Sequence, residues 1–156
     1  MLEYSFRFFI YAVVGLSLEI VFSVLGIEFA LGTKISRRVP KKYLEGFVSL
    51  FMIPIHGLGV LFIFEPIYFA ISGWSIILRF LIWACSFVFA EAAGGFIIDK
   101  IFGFYPWDYY ALSKYRVAKR GYSLWSLLPF WGIYGLFLEI LVRILTGVSP
   151  YISSFI

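Results

Sequence analysis

The sequence predicts an all-α integral membrane protein of about four transmembrane helices. Hydrophobic residues make up 62% of the 156-residue chain, charged residues make up 14%, and the mean hydropathy is +0.95. A soluble domain of this length does not need that much apolar surface for its core. Residues 46–64 contain no formal charge. A helix of this length crosses most of a bilayer at about 1.5 Å per residue. The apolar segments are long and do not alternate with polar residues, so helices are expected rather than barrel strands.

We predict the helices at residues 6–32, 44–72, 74–99 and 122–147. Loop 33–43 joins the first helix to the second, and loop 100–121 joins the third helix to the fourth. Both loops are basic. Their basic residues are Lys34, Arg37, Arg38, Lys41 and Lys42 in the first, and Lys100, Lys114, Arg116, Lys119 and Arg120 in the second. The positive-inside rule makes both loops cytoplasmic and, with an even number of spans, places both termini outside. A bacterial or archaeal cell membrane is the expected location. The single cysteine, Cys85, is predicted to be a small core residue.

The two halves of the chain share a spacing of charged and small residues, which predicts an internal repeat. The matched pairs are Arg7 with Arg79, Glu19 with Glu91, Pro54 with Pro129, and Gly57 with Gly132. The offset is 72 residues for the first two pairs and 75 for the others. We therefore expect two parallel two-helix repeats, 1–72 and 73–156, within one membrane domain.

Each predicted span carries one glutamate well inside it. These residues are Glu19, Glu65, Glu91 and Glu139. An ionised, unpaired carboxylate at mid-bilayer costs roughly 2.5–3.5 kcal/mol on insertion scales, so these groups must be protonated, paired, hydrated or bound to a cation. We predict an intramembrane polar site formed by the four glutamates and His56, the single histidine, with a proton or divalent cation as its candidate occupant. No cofactor is identified, and the identity of any metal is left open.

Two other interpretations of the glutamates remain open. The four side chains are alternatively neutral and hydrogen-bonded between helices, which would give them a structural role. Arg143 follows Glu139 by four residues, so these two side chains share a helix face and are a candidate ion pair.

An aromatic loop follows the third predicted helix. Pro106 is expected to end that helix, and Asp108 is expected to cap a short segment along the membrane surface. The aromatic residues of this loop suit either an anchor at the membrane interface or a docking surface for a cytoplasmic partner. The predicted docking residues are Pro106, Trp107, Asp108 and Tyr109.

Several motifs together resemble the ABC-transporter type IV family, also called CmpB-like, which includes animal transmembrane proteins. The residues that carry the likeness are Tyr11, Gly15 and Glu19; Pro54 to Gly57 with Glu65; Glu91 with Gly94 and Gly95; Pro106 to Tyr109; and Pro129 to Gly132 with Glu139. The resemblance covers most of the chain and implies a small polytopic permease component. The chain departs from the family pattern at Tyr110, where a serine is expected, and in the basic stretch 114–120.

The sequence favours a transport-related, permease-like subunit. Four helices are few for a complete pathway, so we expect a homo-oligomer or a larger membrane complex in the lipid bilayer, with a cytoplasmic ATPase as a candidate partner. Nucleic acid is not needed to explain the basic loops. No catalytic residue is assigned, because the chain lacks a phosphate-cradling loop, a nucleophile elbow and a zinc-protease motif. A membrane-embedded enzyme acting on a lipid-like substrate and a non-catalytic membrane scaffold are the alternatives.

Overall fold

A computed structural model describes residues 1–154. This part of the chain is mostly helical and contains four helices long and apolar enough to span a membrane, as predicted. These spans are Leu2–Leu25, Met52–Ile71, Ile76–Phe102 and Trp125–Ile152. The regular elements are α1 (Leu2–Leu25), α2 (Ile27–Leu31), α3 (Met52–Gly59), α4 (Glu65–Ile71), α5 (Ile76–Phe102), α6 (Leu128–Ser153), β1 (Arg116–Val117) and β2 (Ser123–Leu124).

The second span begins at Met52, so the predicted start at residue 44 is wrong. Leu44 has a left-handed backbone, with φ of 54°, and the segment 44–51 runs along α1 without forming an α-helix. The backbone N–H of Phe47 donates a hydrogen bond to Ser23 Oγ at 2.9 Å. A Cβ at position 46 would lie 2.6 Å from the Ile20 carbonyl oxygen, so only glycine permits this close approach.

Pro54 does not distort the second span. It lies in the first turn of α3, where a missing N–H breaks no helical hydrogen bond. The distortion is further along, where Val60–Phe64 forms a π-helical turn between α3 and α4. Such a turn accommodates one extra residue in an otherwise α-helical span.

The segment between α5 and α6 is a folded cap. The third span ends at Phe102 and is followed by Gly103, whose φ of 79° suits glycine, so the prediction that Pro106 ends the helix is wrong. Asp108 begins a 3-10 turn, Asp108–Leu112, with no side-chain cap. Antiparallel strands β1 and β2 follow, with Arg116 paired to Leu124. The fourth span therefore begins at residue 125, with a 3-10 turn leading into α6, later than the predicted residue 122.

Two apolar clusters form the core of the described part of the chain. One lies among the four spans and includes Tyr11, Phe64 and Trp83. The other lies at the loop end, where the cap packs Trp107 and Tyr110 against neighbouring helices. Large apolar side chains also cover the outer faces of the spans, which suits surfaces that contact lipid. Cys85 is exposed there, so its predicted core position is wrong.

Candidate functional site

A cavity of about 200 Å³ lies at the loop end of the bundle. Three of the five residues predicted for the polar site line it together: Glu19 from α1, His56 from α3 and Glu91 from α5. The walls also include Trp107 and Tyr109 from the cap. The cavity therefore joins part of the predicted intramembrane site to part of the predicted docking loop.

Glu19 and His56 form a pair across two helices. The Nε2 atom of His56 lies 3.2 Å from Glu19 Oε1. The imidazole packs against the backbone of α1 at Gly15, where a Cβ would overlap the ring. Glycine at position 15 thus lets α3 approach closely enough for the pair to form.

Glu91 has a different set of neighbours. Ser123 in β2 donates a hydrogen bond from Oγ to Glu91 Oε2 at 2.5 Å, and the Tyr110 hydroxyl lies against the same carboxylate. The indole N–H of Trp131 also faces this carboxylate, but its buried Nε1 has no hydrogen bond of normal geometry among the described residues. Glu91 is only half-buried although it lies within the bundle, because the cavity reaches it.

Aromatic side chains form much of the remaining wall. They are Phe22, Phe47, Trp107, Tyr109, Tyr110, Phe130, Trp131 and Tyr134. Burial, followed by the charge of Glu91, raises the pKa of Tyr110 well above its ordinary value, and burial followed by Glu19 does the same for Tyr109. Both phenols therefore stay neutral at physiological pH and can donate hydrogen bonds.

Glu65 and Glu139, the other two predicted site residues, lie outside this cavity and have their own partners. Glu65 Oε1 lies 3.3 Å from Arg7 Nε and accepts a hydrogen bond from the Tyr11 hydroxyl at 2.6 Å. Because Glu65 pairs with residues near the start of α1, it is remote from Glu19, which follows Arg7 by twelve residues or about 18 Å of helix.

Glu139 is paired in the same way. Its Oε2 lies 3.1 Å from Arg79 Nη1, and its Oε1 accepts a hydrogen bond from Trp83 Nε1 at 2.7 Å. Arg143 is exposed. The cation that pairs with Glu139 is therefore Arg79 of α5, not Arg143 of the same helix. The four glutamates therefore occupy two layers: two face a cavity and two are paired with arginine.

The predicted docking residues take different positions in the cap. Trp107 is buried and donates a hydrogen bond from Nε1 to the Tyr122 carbonyl oxygen at 2.7 Å. Pro106 and Tyr109 are half-buried, and Asp108 is exposed. The aromatic members of this loop thus stabilise the fold and line the cavity.

The sequence interpretation missed the partners of the buried glutamates. Arg7 and Tyr11 lie four residues apart on α1, as do Arg79 and Trp83 on α5. This spacing places both donors of each pair on one helix face. The two matching pairs were therefore a usable signal for carboxylate partners.

The described residues contain no group of three or more His, Cys, Asp or Glu side chains placed to hold a metal ion. No family model, curated protein or solved structure matches the chain.

Proposed function

We propose that this chain is a permease-like membrane subunit whose solute site is the cavity of Glu19, His56 and Glu91. The observation that carries the proposal is a contrast among the glutamates. Glu65 and Glu139 each have a paired arginine, whereas no lysine or arginine is among the described residues lining the cavity. Membrane-embedded carboxylates are costly without partners, so a bound cation or proton supplies the missing counter-charge.

Matching contacts in the two halves support the proposed repeat of 1–72 and 73–156. The corresponding contacts are Arg7–Glu65 with Arg79–Glu139, Tyr11–Glu65 with Trp83–Glu139, Phe8–Gly57 with Phe80–Gly132, and Glu19–His56 with Glu91–Trp131. Pro54 and Glu65 are eleven residues apart, but Pro129 and Glu139 are ten apart. The π-helical turn in the first half accounts for the extra residue.

The position of the cavity supports a transport role. Its walls come from both proposed repeats, and membrane transporters commonly bind their solutes at such an interface. The predicted homo-oligomer or ATPase-containing complex completes the pathway in this proposal. The exposed basic residues of the first loop, among them Arg38 with a side chain 88% exposed, belong to its cytoplasmic side.

Solute exchange tests this function. The protein is purified from its native membrane with any accompanying subunits, reconstituted into vesicles and exposed to a small-molecule cell extract, with ATP supplied on both faces. Mass spectrometry then compares vesicle contents. We expect the wild type to exchange at least one class of solute. The double variant Glu19→Gln, Glu91→Gln should reduce that exchange at least tenfold, because both carboxylates that balance the charge of the solute are removed.

Glu45→Gln is the matched control, since Glu45 is exposed in the non-helical segment 44–51 and lies outside the cavity. It should exchange solute at the wild-type rate. No exchange above that of protein-free vesicles in any sample would overturn the transport proposal, as would normal exchange in the double variant.

The Glu19–His56 pair makes an enzyme the second candidate. A carboxylate that orients an imidazole is a common arrangement for acid and base catalysis. The same vesicle experiment separates the two functions. Transport moves a solute without changing its mass, whereas catalysis on lipid or solute yields a product of different mass that depends on His56.

Cysteine labelling tests the proposed topology. In a Cys85→Ala background, Gly73→Cys should react with an impermeant maleimide on intact cells, because position 73 is exposed in the turn opposite the basic loops. Arg38→Cys should react only after permeabilisation. Its side chain is 88% exposed in the structure, so access is limited by the membrane alone. Labelling of Arg38→Cys on intact cells would reverse the assignment.

A further inference from the structure

The cavity combines acidic and aromatic groups. Glu19 and Glu91 provide carboxylates from separate helices, and Tyr109, Trp131 and Tyr134 provide rings beside them. Apart from His56, no side chain that readily becomes cationic is among its described lining residues. An anionic solute would therefore meet like charge in a site of low dielectric, which is unfavourable.

Aromatic faces attract cations through the ring quadrupole. This attraction is strongest where the cation is desolvated, and aromatic enclosures commonly recognise quaternary ammonium groups. Metal ions prefer oxygen or nitrogen ligands to aromatic rings. The described residues also contain no cluster of three or more metal-ligating side chains. The wall chemistry thus favours an organic cation over a metal ion.

A donor without a well-formed hydrogen bond gives a second indication of a ligand. Trp131 lines the cavity, and its buried Nε1 faces the Glu91 carboxylate without a hydrogen bond of normal geometry among the described residues. A buried donor that is poorly satisfied is costly, so a better-placed acceptor atom on a bound molecule would stabilise it. A hydroxyl or ether oxygen on the ligand would meet this requirement.

The size of the cavity limits the ligand. Its volume of about 200 Å³ is below the roughly 300–1,000 Å³ typical of sites for drug-sized molecules. The space suits a compact molecule with one charged group.

We propose that the cavity binds a small organic cation, a quaternary ammonium or protonated amine that also carries an oxygen acceptor. This inference rests on the proposed solute site and specifies its substrate class. The cationic group lies between Glu19 and Glu91 against the aromatic wall, and the oxygen of the ligand accepts a hydrogen bond from the Trp131 N–H. A lipid phosphocholine headgroup carries the same cationic group but adds a phosphate that the carboxylates repel, so a free cation is favoured.

Calorimetric titration of the purified complex in detergent tests this inference with choline as the probe. The matched uncharged ligand is 3,3-dimethylbutan-1-ol, which has the same shape as choline with carbon in place of nitrogen. We expect it to bind at least tenfold more weakly than choline. Glycerophosphocholine should also bind at least tenfold more weakly, because of its phosphate.

Variants identify the groups that bind choline. Glu91→Gln preserves the shape of the side chain and should weaken choline binding at least tenfold. Tyr134→Leu should weaken choline binding about fivefold by removing an aromatic face, whereas Tyr134→Phe keeps the ring and should bind choline like the wild type. Glu45→Gln and Tyr151→Leu are controls at exposed positions outside the cavity and should leave binding unchanged. Thermal unfolding checks that each variant is folded.

Equal binding of choline and its uncharged analogue, or no binding of choline, would overturn the organic-cation site. Unchanged binding in Glu91→Gln would place the cation elsewhere and also overturn it. Preferential binding of glycerophosphocholine would identify a lipid-headgroup site and contradict the free-cation proposal. Vesicle exchange of only an anionic or neutral solute would support the transport proposal and contradict the organic-cation site. Choline binding without any vesicle exchange would support the cation site and contradict transport.

Discussion

Arg7→Leu is expected to lower the free energy of unfolding by about 3–5 kcal/mol, because it leaves the buried Glu65 carboxylate without its cation. The side chains of Arg7 and Glu65 are only 10% and 7% exposed. Tyr11 would remain as a hydrogen-bond donor to Glu65, but a neutral phenol does not balance a full charge. Steric-trapping measurements of unfolding in lipid bicelles give this free energy directly.

The double variant Arg7→Leu with Glu65→Leu is the control for this prediction. Removing both charges eliminates the unpaired carboxylate, so the double variant should be more stable than Arg7→Leu alone. Ordinary surface substitutions change stability by about 0.5 kcal/mol or less. An effect of Arg7→Leu within that range would contradict a structural role for the pair.

Gly135→Val is expected to destabilise the protein by about 1–3 kcal/mol or to prevent its folding. A Cβ at position 135 would overlap Cβ and Cγ of Trp83, which is fully buried and cannot turn away. Displacing Trp83 would also disturb its hydrogen bond to Glu139. Unfolding in bicelles and the yield of folded protein from the membrane are the measurements.

Gly147→Val on the same helix is the matched control. Beyond its chain neighbours and its own helix backbone, no atom of the described residues lies within 4 Å of a Cβ built at position 147, so the same substitution should change stability by less than about 0.5 kcal/mol. Equal destabilisation by both changes would attribute the effect to the residue type rather than to contact with Trp83.

Mean hydropathy and the lengths of the apolar runs determined the four candidate spans, because a membrane demands long, continuous apolar helices. The same reasoning placed a glutamate in each span, since charged residues are conspicuous against an apolar background. Helix boundaries were less well predicted. Residues 44–51 are apolar enough for a helix, but Gly46 and Phe47 instead contact α1, and that contact joins residues distant in sequence.

The candidate site was predicted only in part. Sequence reasoning selected Glu19, His56 and Glu91 because ionisable groups in an apolar span require an explanation. It treated all four glutamates alike, since each lies on one helix and its partner comes from another. Ser123 was not selected, because the sequence predicted it in the first turn of the fourth helix, whereas it lies in β2 and reaches Glu91 from there.

The sequence by itself determined how many helices can span a membrane and which of their residues are too polar to face lipid. Only the tertiary structure decided that Glu65 and Glu139 are paired with arginine while Glu19 and Glu91 face a cavity. The physical reason is that hydropathy is a local property of the chain. Charge neutralisation and the shape of a cavity depend on side chains from separate helices, and packing alone brings them together.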